Sequence, residues 1–126
     1  SRPDGNGLVW LSGCLPTENG RVMTGKAGEI PLEEAQRAAT VSALNLLAVL
    51  KRDLGSLERV ESIVKITVFV ACAVDFFDQP KVANAASQLL TELFGREVGG
   101  HARSAVGVCA LPLGATVEIE AVVRVR

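Results

Sequence analysis

Arg103 stands at the mouth of a run of small and apolar residues, Ala105-Val106-Gly107-Val108-Cys109-Ala110, and Glu118 lies near the start of the next such run, Val117-Glu118-Ile119-Glu120-Ala121-Val122-Val123-Arg124-Val125. A guanidinium at a strand end can grip a carboxylate through two parallel hydrogen bonds. A glutamate beside it can orient or activate a water, or pass a proton. If the two runs are strands paired antiparallel through the turn Leu111-Pro112-Leu113-Gly114, Arg103 and Glu118 come to the same end. The same spacing also fits a structural ion pair across two strands, and Glu120 and Arg124 on the face of Glu118 fit a solvated edge. His101, after Gly99-Gly100, fits a proton shuttle near neutral pH or a plain surface residue. Lys65 fits a solvent-facing or interface ion pair.

Other chemistries find no support. No glycine pattern matches a phosphate loop or a dinucleotide fingerprint, and Ser12 has no paired base in view. Cys14, Cys72 and Cys109 are far apart, and with His101 as the single histidine they form no Cys/His zinc pattern, so a zinc site of that common type is not expected. An odd number of cysteines in apolar surroundings reads as reduced thiols in the core of a cytoplasmic protein.

The chain has 126 residues, 48% of them hydrophobic, with 13 basic against 14 acidic side chains. That length suits a single domain, residues 1–126. A net charge of −1 lacks the basic stripe of a nucleic-acid binder, which argues against a nucleic-acid partner. No apolar run reaches the roughly 18–20 residues of a membrane helix, so no membrane association is expected. The polar opening Ser1-Arg2-Pro3-Asp4-Gly5 has no secretory pattern.

These side chains need a frame. Leu8 to Gly13 reads as a strand between glycines. Pro31-Leu32-Glu33-Glu34 opens a helix, with proline in the first turn and acids at the positive end of its dipole. Leu32, Ala35, Ala39, Ser42, Ala43, Leu46, Leu47, Leu50 and Leu54 keep helical spacing until Gly55. Val60 to Val74 reads as a strand, with Val64, Ile66, Val68 and Val70 on one face and Lys65, Thr67 and Phe69 on the other. Pro80 begins a second helix that ends at Gly95. Strands from Ala105 to Ala110 and Val117 to Val125 complete the chain, with a short extra strand near Arg21-Val22-Met23.

The result is an α+β arrangement with two helices on one face of a mixed sheet. Two helices leave the other face bare, yet Ala105–Ala110 has nothing polar to turn toward water. A second copy of the chain is the expected cover, in a closed homo-oligomer.

Read together, Gly100-His101-Ala102-Arg103-Ser104-Ala105-Val106-Gly107-Val108, Leu111-Pro112 and Val117-Glu118-Ile119-Glu120-Ala121-Val122 resemble the closing signature of the Rid/YjgF family, also labelled endoribonuclease L-PSP. Leu11-Ser12-Gly13-Cys14-Leu15-Pro16, Val64–Val70 and Val82-Ala83-Asn84-Ala85 agree in order, so the likeness spans nearly the whole chain. The Gly-His-Ala-Arg-Ser wording marks a divergent branch.

The resemblance implies a chorismate-mutase-like fold and a homotrimer with ligand clefts between subunits. It implies that Arg103 clamps the carboxylate of a 2-imino acid, that Glu118 works on the hydrolytic water and the nitrogen, and that backbone groups of Gly13 and Ala105 help hold ligand and water. The products are a 2-keto acid and ammonia, and no cofactor is called for.

A non-catalytic binder of small carboxylates (an imino or keto acid) is the alternative. Ribonuclease or translation-inhibitor activity ranks last. A chorismate mutase ranks below the deaminase because its substrate carries two carboxylates and the motif supports one arginine; two or more arginines meeting in a cleft would reverse that order.

Overall fold

The computed structural model describes the whole chain, Ser1–Arg126. Helix α1 runs Leu32–Leu54, with Glu33 and Glu34 in its first turn and Lys51 and Arg52 in its last. Both pairs complement the helix dipole. Gly55 closes it at φ 85°, its N–H reaching Lys51 O, a left-handed cap that glycine adopts without steric cost. Helix α2 spans Gln79–Gly99 but breaks at Gly95 (φ 79°, ψ 167°). The helices pack together on the same side of the sheet. Ala35, Ala38 and Ala39 of α1 and Val82, Ala83 and Ala86 of α2 are fully buried, and such short side chains let helix backbones approach closely.

The strands are β1 (Arg2–Pro3), β2 (Leu8–Cys14), β3 (Thr17–Glu18), β4 (Arg21–Val22), β5 (Val60–Ala71), β6 (Ala102–Val108) and β7 (Val117–Val125). Five form one sheet in the order β1-β2-β7-β5-β6, while β3 and β4 make a separate hairpin. That hairpin turns on Asn19 and Gly20, both at positive φ, as a two-residue turn with the right twist requires. Only β5 and β6 run parallel, joined through α2; the other neighbours are antiparallel. The expected α+β architecture, with both helices on one face of a mixed sheet, is present.

The core lies between helices and sheet, with Leu46, Leu50, Ile63, Ile66, Val68, Leu90, Ile119 and Val123 all but inaccessible. Burying each of the leucines or isoleucines contributes about 1.5–3 kcal/mol relative to exposure.

Besides β5 ending at Ala71 rather than Val74 and α2 resuming beyond Gly95 to Gly99, the structure departs from the sequence reading in four places. The strands carrying Arg103 and Glu118 do not pair with each other: β6 and β7 flank β5 on opposite sides. The connection Cys109–Thr116 is longer than the roughly two to five residues of a tight hairpin. The parallel crossover seats β6 at the sheet edge, and β7 takes the central place, where Val117, Ile119, Ala121 and Val123 are buried. Second, β6 starts at Ala102, so Arg103 is inside the strand.

Third, Val64 points away from the core. Register irregularities between Val60 and Ser62 and between Ile63 and Lys65 give the inward place to Ile63, as a β-bulge does. Fourth, the cysteines are not core residues: Cys14 and Cys72 are half-buried and Cys109 is exposed, all as free thiols.

The face away from the helices is bare. Register aligns Trp10, Val122 and Lys65 in one row, Glu120, Thr67 and Ser104 in the next, and Glu118, Phe69 and Val106 in a third. Trp10 is 52% exposed, Val106 41% and Val64 39%.

Candidate functional site: a cationic cleft between the second helix and the edge strand

Asn84, Ser87 and Thr91 recur at helical spacing and line the side of α2 that faces the start of β6. Arg103, the second residue of β6, lies beside Ile66 of β5, whose side chain is buried under the helices. Its guanidinium therefore emerges on the helix side. There Arg103 Nη1 donates to Asn84 Oδ1 at 2.9 Å and to Ser87 Oγ at 3.2 Å, leaving the rest of the fork free. A clamp whose side chain is already ordered loses less entropy when an anion binds.

His101 completes the array. Its Nδ1 lies 2.6 Å from Gly99 O and its Nε2 lies 2.8 Å from Ser87 Oγ. A carbonyl can only accept, so Nδ1 carries the proton, and in the neutral ring Nε2 accepts from the Ser87 hydroxyl. In that tautomer Ser87 Oγ donates a hydrogen bond to His101 Nε2 and accepts one from Arg103 Nη1.

The break at Gly95 turns Arg96 to Gly99 back against the helix. Gly99 lies so close that a Cβ there would stand 2.9 Å from Leu90 C and 3.1 Å from Thr91 Cα; only glycine permits this approach. Arg96 thereby joins Ser87, Thr91, Gly100, His101 and Arg103 around a cleft of about 450 Å³ with no hydrophobic and no acidic lining. The ion pairs of the chain, Ser1–Asp53, Arg37–Glu18, Arg52–Asp53 and Lys81–Asp78, leave both cleft arginines out. Uncompensated cations of this kind are what an anionic ligand meets.

Glu118 is elsewhere. It lies beside Phe69 on β7, three residues along β5 from the Arg103 position and on the bare face. One chain therefore does not bring Arg103 and Glu118 together, and neither the shared strand end nor the intrachain salt bridge is found. Glu118 packs instead over Gly13, at the bulge of β2, where an added Cβ would stand 2.6 Å from Glu118 Cδ. Cys14 is next to this carboxylate; burial first, and the charge of Glu118 second, push its thiol pKa up. Ala105, on the helix side like Arg103, is half-buried against the core.

Asn84, Ser87 and Arg96 were not singled out from the sequence as site residues. Asn84 and Ser87 had a signal in their helical spacing, since a polar pair interrupts the apolar stripe of α2. Arg96 had none, because its place depends on the backbone turning at Gly95.

A family model described as Endoribonuclease L-PSP matches residues 4–125. Protein TCP17 of Trypanosoma cruzi is 45% identical over 118 residues, covering 92% of this chain and 74% of that protein. The solved structure of Atu1372 from Agrobacterium tumefaciens, itself described as of unknown function, superposes with a TM-score of 0.93 at 41% identity, over 96% of this chain and 77% of that one. E. coli TdcF with bound serine superposes with a TM-score of 0.65 at 25% identity, over 98% of this chain and 84% of that one. With a family model running almost from end to end and a matching fold, this chain belongs to the Rid/YjgF family, the family described as endoribonuclease L-PSP.

Proposed function

We propose that the protein hydrolyses reactive 2-imino and enamine acids to 2-keto acids and ammonia, in clefts formed between the subunits of a homotrimer. The observation that carries this reading is Arg103, held in place by Asn84 and Ser87 at an all-polar cleft with its remaining N–H groups free. A 2-imino acid always carries a carboxylate beside its electrophilic carbon, and a forked guanidinium suits that group. TdcF, a relative of the same fold, is described with serine bound, a ligand that has a carboxylate and a nitrogen on the adjacent carbon.

In this reading the enamine tautomerises to the imine, water adds to the C=N carbon, and the tetrahedral carbinolamine expels ammonia as the C=O bond forms. Glu118 takes a proton from the attacking water and passes it to the imine nitrogen, then takes the carbinolamine hydroxyl proton as the C=O bond forms and delivers it to the departing amine. The backbone at Gly13 and Ala105 helps hold the water and the ligand. Since Glu118 and Arg103 lie on opposite faces of the sheet in one chain, the pair acts together only when Glu118 comes from a neighbouring copy. The bare face bearing Trp10, Val64 and Val106 supports such an assembly, because large apolar side chains exposed on one face call for a cover. Every group in the scheme belongs to the protein or the substrate.

Arg96 beside Arg103 favours a second reading. Two guanidiniums meet the condition set above, and on ligand binding alone the chorismate mutase moves ahead of the deaminase. Family membership keeps the deaminase first, because Arg103 and Glu118 stand where the family signature puts its clamp and its water-handling carboxylate.

The test generates imines in situ with an amino-acid oxidase or dehydratase and traps the remainder with semicarbazide. Faster loss of trappable imine with the protein, abolished in Arg103→Ala with the oligomer intact, is the expected result. No acceleration over a panel of 2-imino acids would overturn the reading and leave a binding cleft. Consumption of chorismate without imine hydrolysis would decide for the mutase.

A further inference from the structure

Resting on the imine-hydrolase reading, we propose that the cleft selects 2-imino acids that carry a second carboxylate at the far end of their side chain, with Arg96 as the residue that recognises it. One carboxylate accounts for one guanidinium. Arg103 serves the carboxylate next to the reacting carbon, and its orientation is fixed from behind by Asn84 and Ser87. Arg96 borders the same cleft, and its guanidinium has no hydrogen-bond or salt-bridge partner within the chain.

A monocarboxylate with an apolar side chain would leave Arg96 unused, and it would lay methyl groups against Ser87, Thr91, Gly100 and His101, a lining with no hydrophobic member. Placing apolar groups among hydroxyls and cations gains little from desolvation. A second carboxylate instead finds a planar fork with parallel N–H donors. The cleft, about 450 Å³, has room for a dicarboxylate of the size of 2-oxoglutarate, within the usual range for small-molecule sites.

The backbone is shaped for this second anchor. Arg96 follows directly on the helix break at Gly95, and the turn it begins closes when the Gly100 N–H reaches Arg96 O at 3.0 Å. Gly99 must lack a side chain for that turn to lie against Leu90 and Thr91. Had α2 continued straight through residue 95, Arg96 would follow the helix rather than turn back over it toward Arg103. No acidic side chain lines the cleft to neutralise the pair, so the two arginines present an attractive field to a dianion.

The experiment compares kcat/KM for imines generated from aspartate and glutamate with those from alanine and 2-aminobutyrate, in the wild type, Arg96→Gln and Arg96→Lys. Binding of 2-oxoglutarate and 2-oxobutyrate is measured beside it by calorimetry at low and high salt. The wild type is expected to prefer the dicarboxylates at least tenfold, with 2-oxoglutarate the more salt-sensitive ligand. Arg96→Gln is expected to cut that preference about tenfold or more, and Arg96→Lys to restore only part of it. Because Arg96 is exposed and unpaired, the variants should melt with the wild type, which a thermal scan checks.

Equal handling of mono- and dicarboxylates by the wild type, or an undiminished preference in Arg96→Gln, would overturn the inference and leave imine hydrolysis standing. Arg96-dependent binding of 2-oxoglutarate without hydrolysis of any imine would instead sink the enzymatic reading and keep the second anion site.

Discussion

Gly13→Ala separates the chemistry of Glu118 from the stability of the fold. A Cβ at residue 13 would stand 2.6 Å from Cδ and 2.7 Å from Cγ of Glu118, and closer still to Oε1. Ordinary van der Waals contact between such atoms is about 3.5–4 Å, so the carboxylate must retreat by roughly 1 Å or more. The backbone tolerates alanine, since Gly13 is not among the residues at positive φ. Glu118 is half-buried on a face that no helix covers, so its side chain can rotate away at a cost of about 0.5–1.5 kcal/mol for a displaced rotamer. For a domain of this size that is a fall in Tm of roughly 2–8 °C.

The catalytic cost is much larger: a misplacement of about 1 Å in a reacting group can lower the rate on the order of 100-fold. Gly13→Ala should therefore remain folded and bind 2-keto acids through Arg103, while imine hydrolysis falls about 100-fold in kcat. The coupled semicarbazide assay, run beside a thermal melt and a binding titration, measures all three. Glu118→Gln should show the same separation. Hydrolysis within a factor of two of wild type in both variants would refute the assignment of the water-handling role to Glu118.

Three further outcomes follow from particular contacts. Gly99→Ala drives a Cβ into the backbone of Leu90 and Thr91, which no side-chain rotation relieves, so stability should fall by about 1–3 kcal/mol in a urea titration; an unchanged midpoint would contradict the close approach. Ser87→Ala removes an acceptor of Arg103 and the partner of His101 Nε2, so KM for the imino acid should rise several-fold with a smaller change in kcat, read from initial rates. Cys14 has its pKa raised by burial and by Glu118. Removing that carboxylate in Glu118→Gln lowers the pKa, enlarges the thiolate fraction near pH 8–9, and should speed alkylation of Cys14 by iodoacetamide as followed by peptide mass; a slower reaction would oppose the stated sign.

The elements were legible where local chemistry decides them. The limits of α1 follow from Pro31, the acidic first turn and Gly55, and β7 keeps the span that its alternation marks, because its inward residues meet the helices on every second position. Reading failed where a single residue changes the path of the backbone. The bulge that turns Val64 outward leaves no mark in a run of β-branched residues, and which strand accepts β6 depends on α2 crossing the sheet rather than on the Leu111–Gly114 turn.

The candidate site divides along the same line. Arg103 and Glu118 were singled out by residue type, but the expectation that they share a strand end required a pairing that the sheet does not make. Their separation is the more informative result. Arg103 points under α2, where Asn84 and Ser87 hold it, and Glu118 lies over Gly13 among the uncovered residues of the opposite face. A charged clamp ordered by Asn84 and Ser87 gains little as a structural feature at a sheet edge, and a carboxylate set over a glycine in a row with Phe69 and Val106 gains little on a bare surface. Each placement has a use if another copy of the chain brings its own bare face to the Arg103 edge, so that the clamp of one protomer and the carboxylate of the next enclose one substrate. On that account a mixture of inactive Arg103→Ala and inactive Glu118→Gln subunits should regain activity on reassembly, since some clefts then draw a sound arginine and a sound glutamate from different chains. Mixed oligomers that stay inactive, with subunit exchange verified by mass spectrometry, would show that the two residues do not work across an interface.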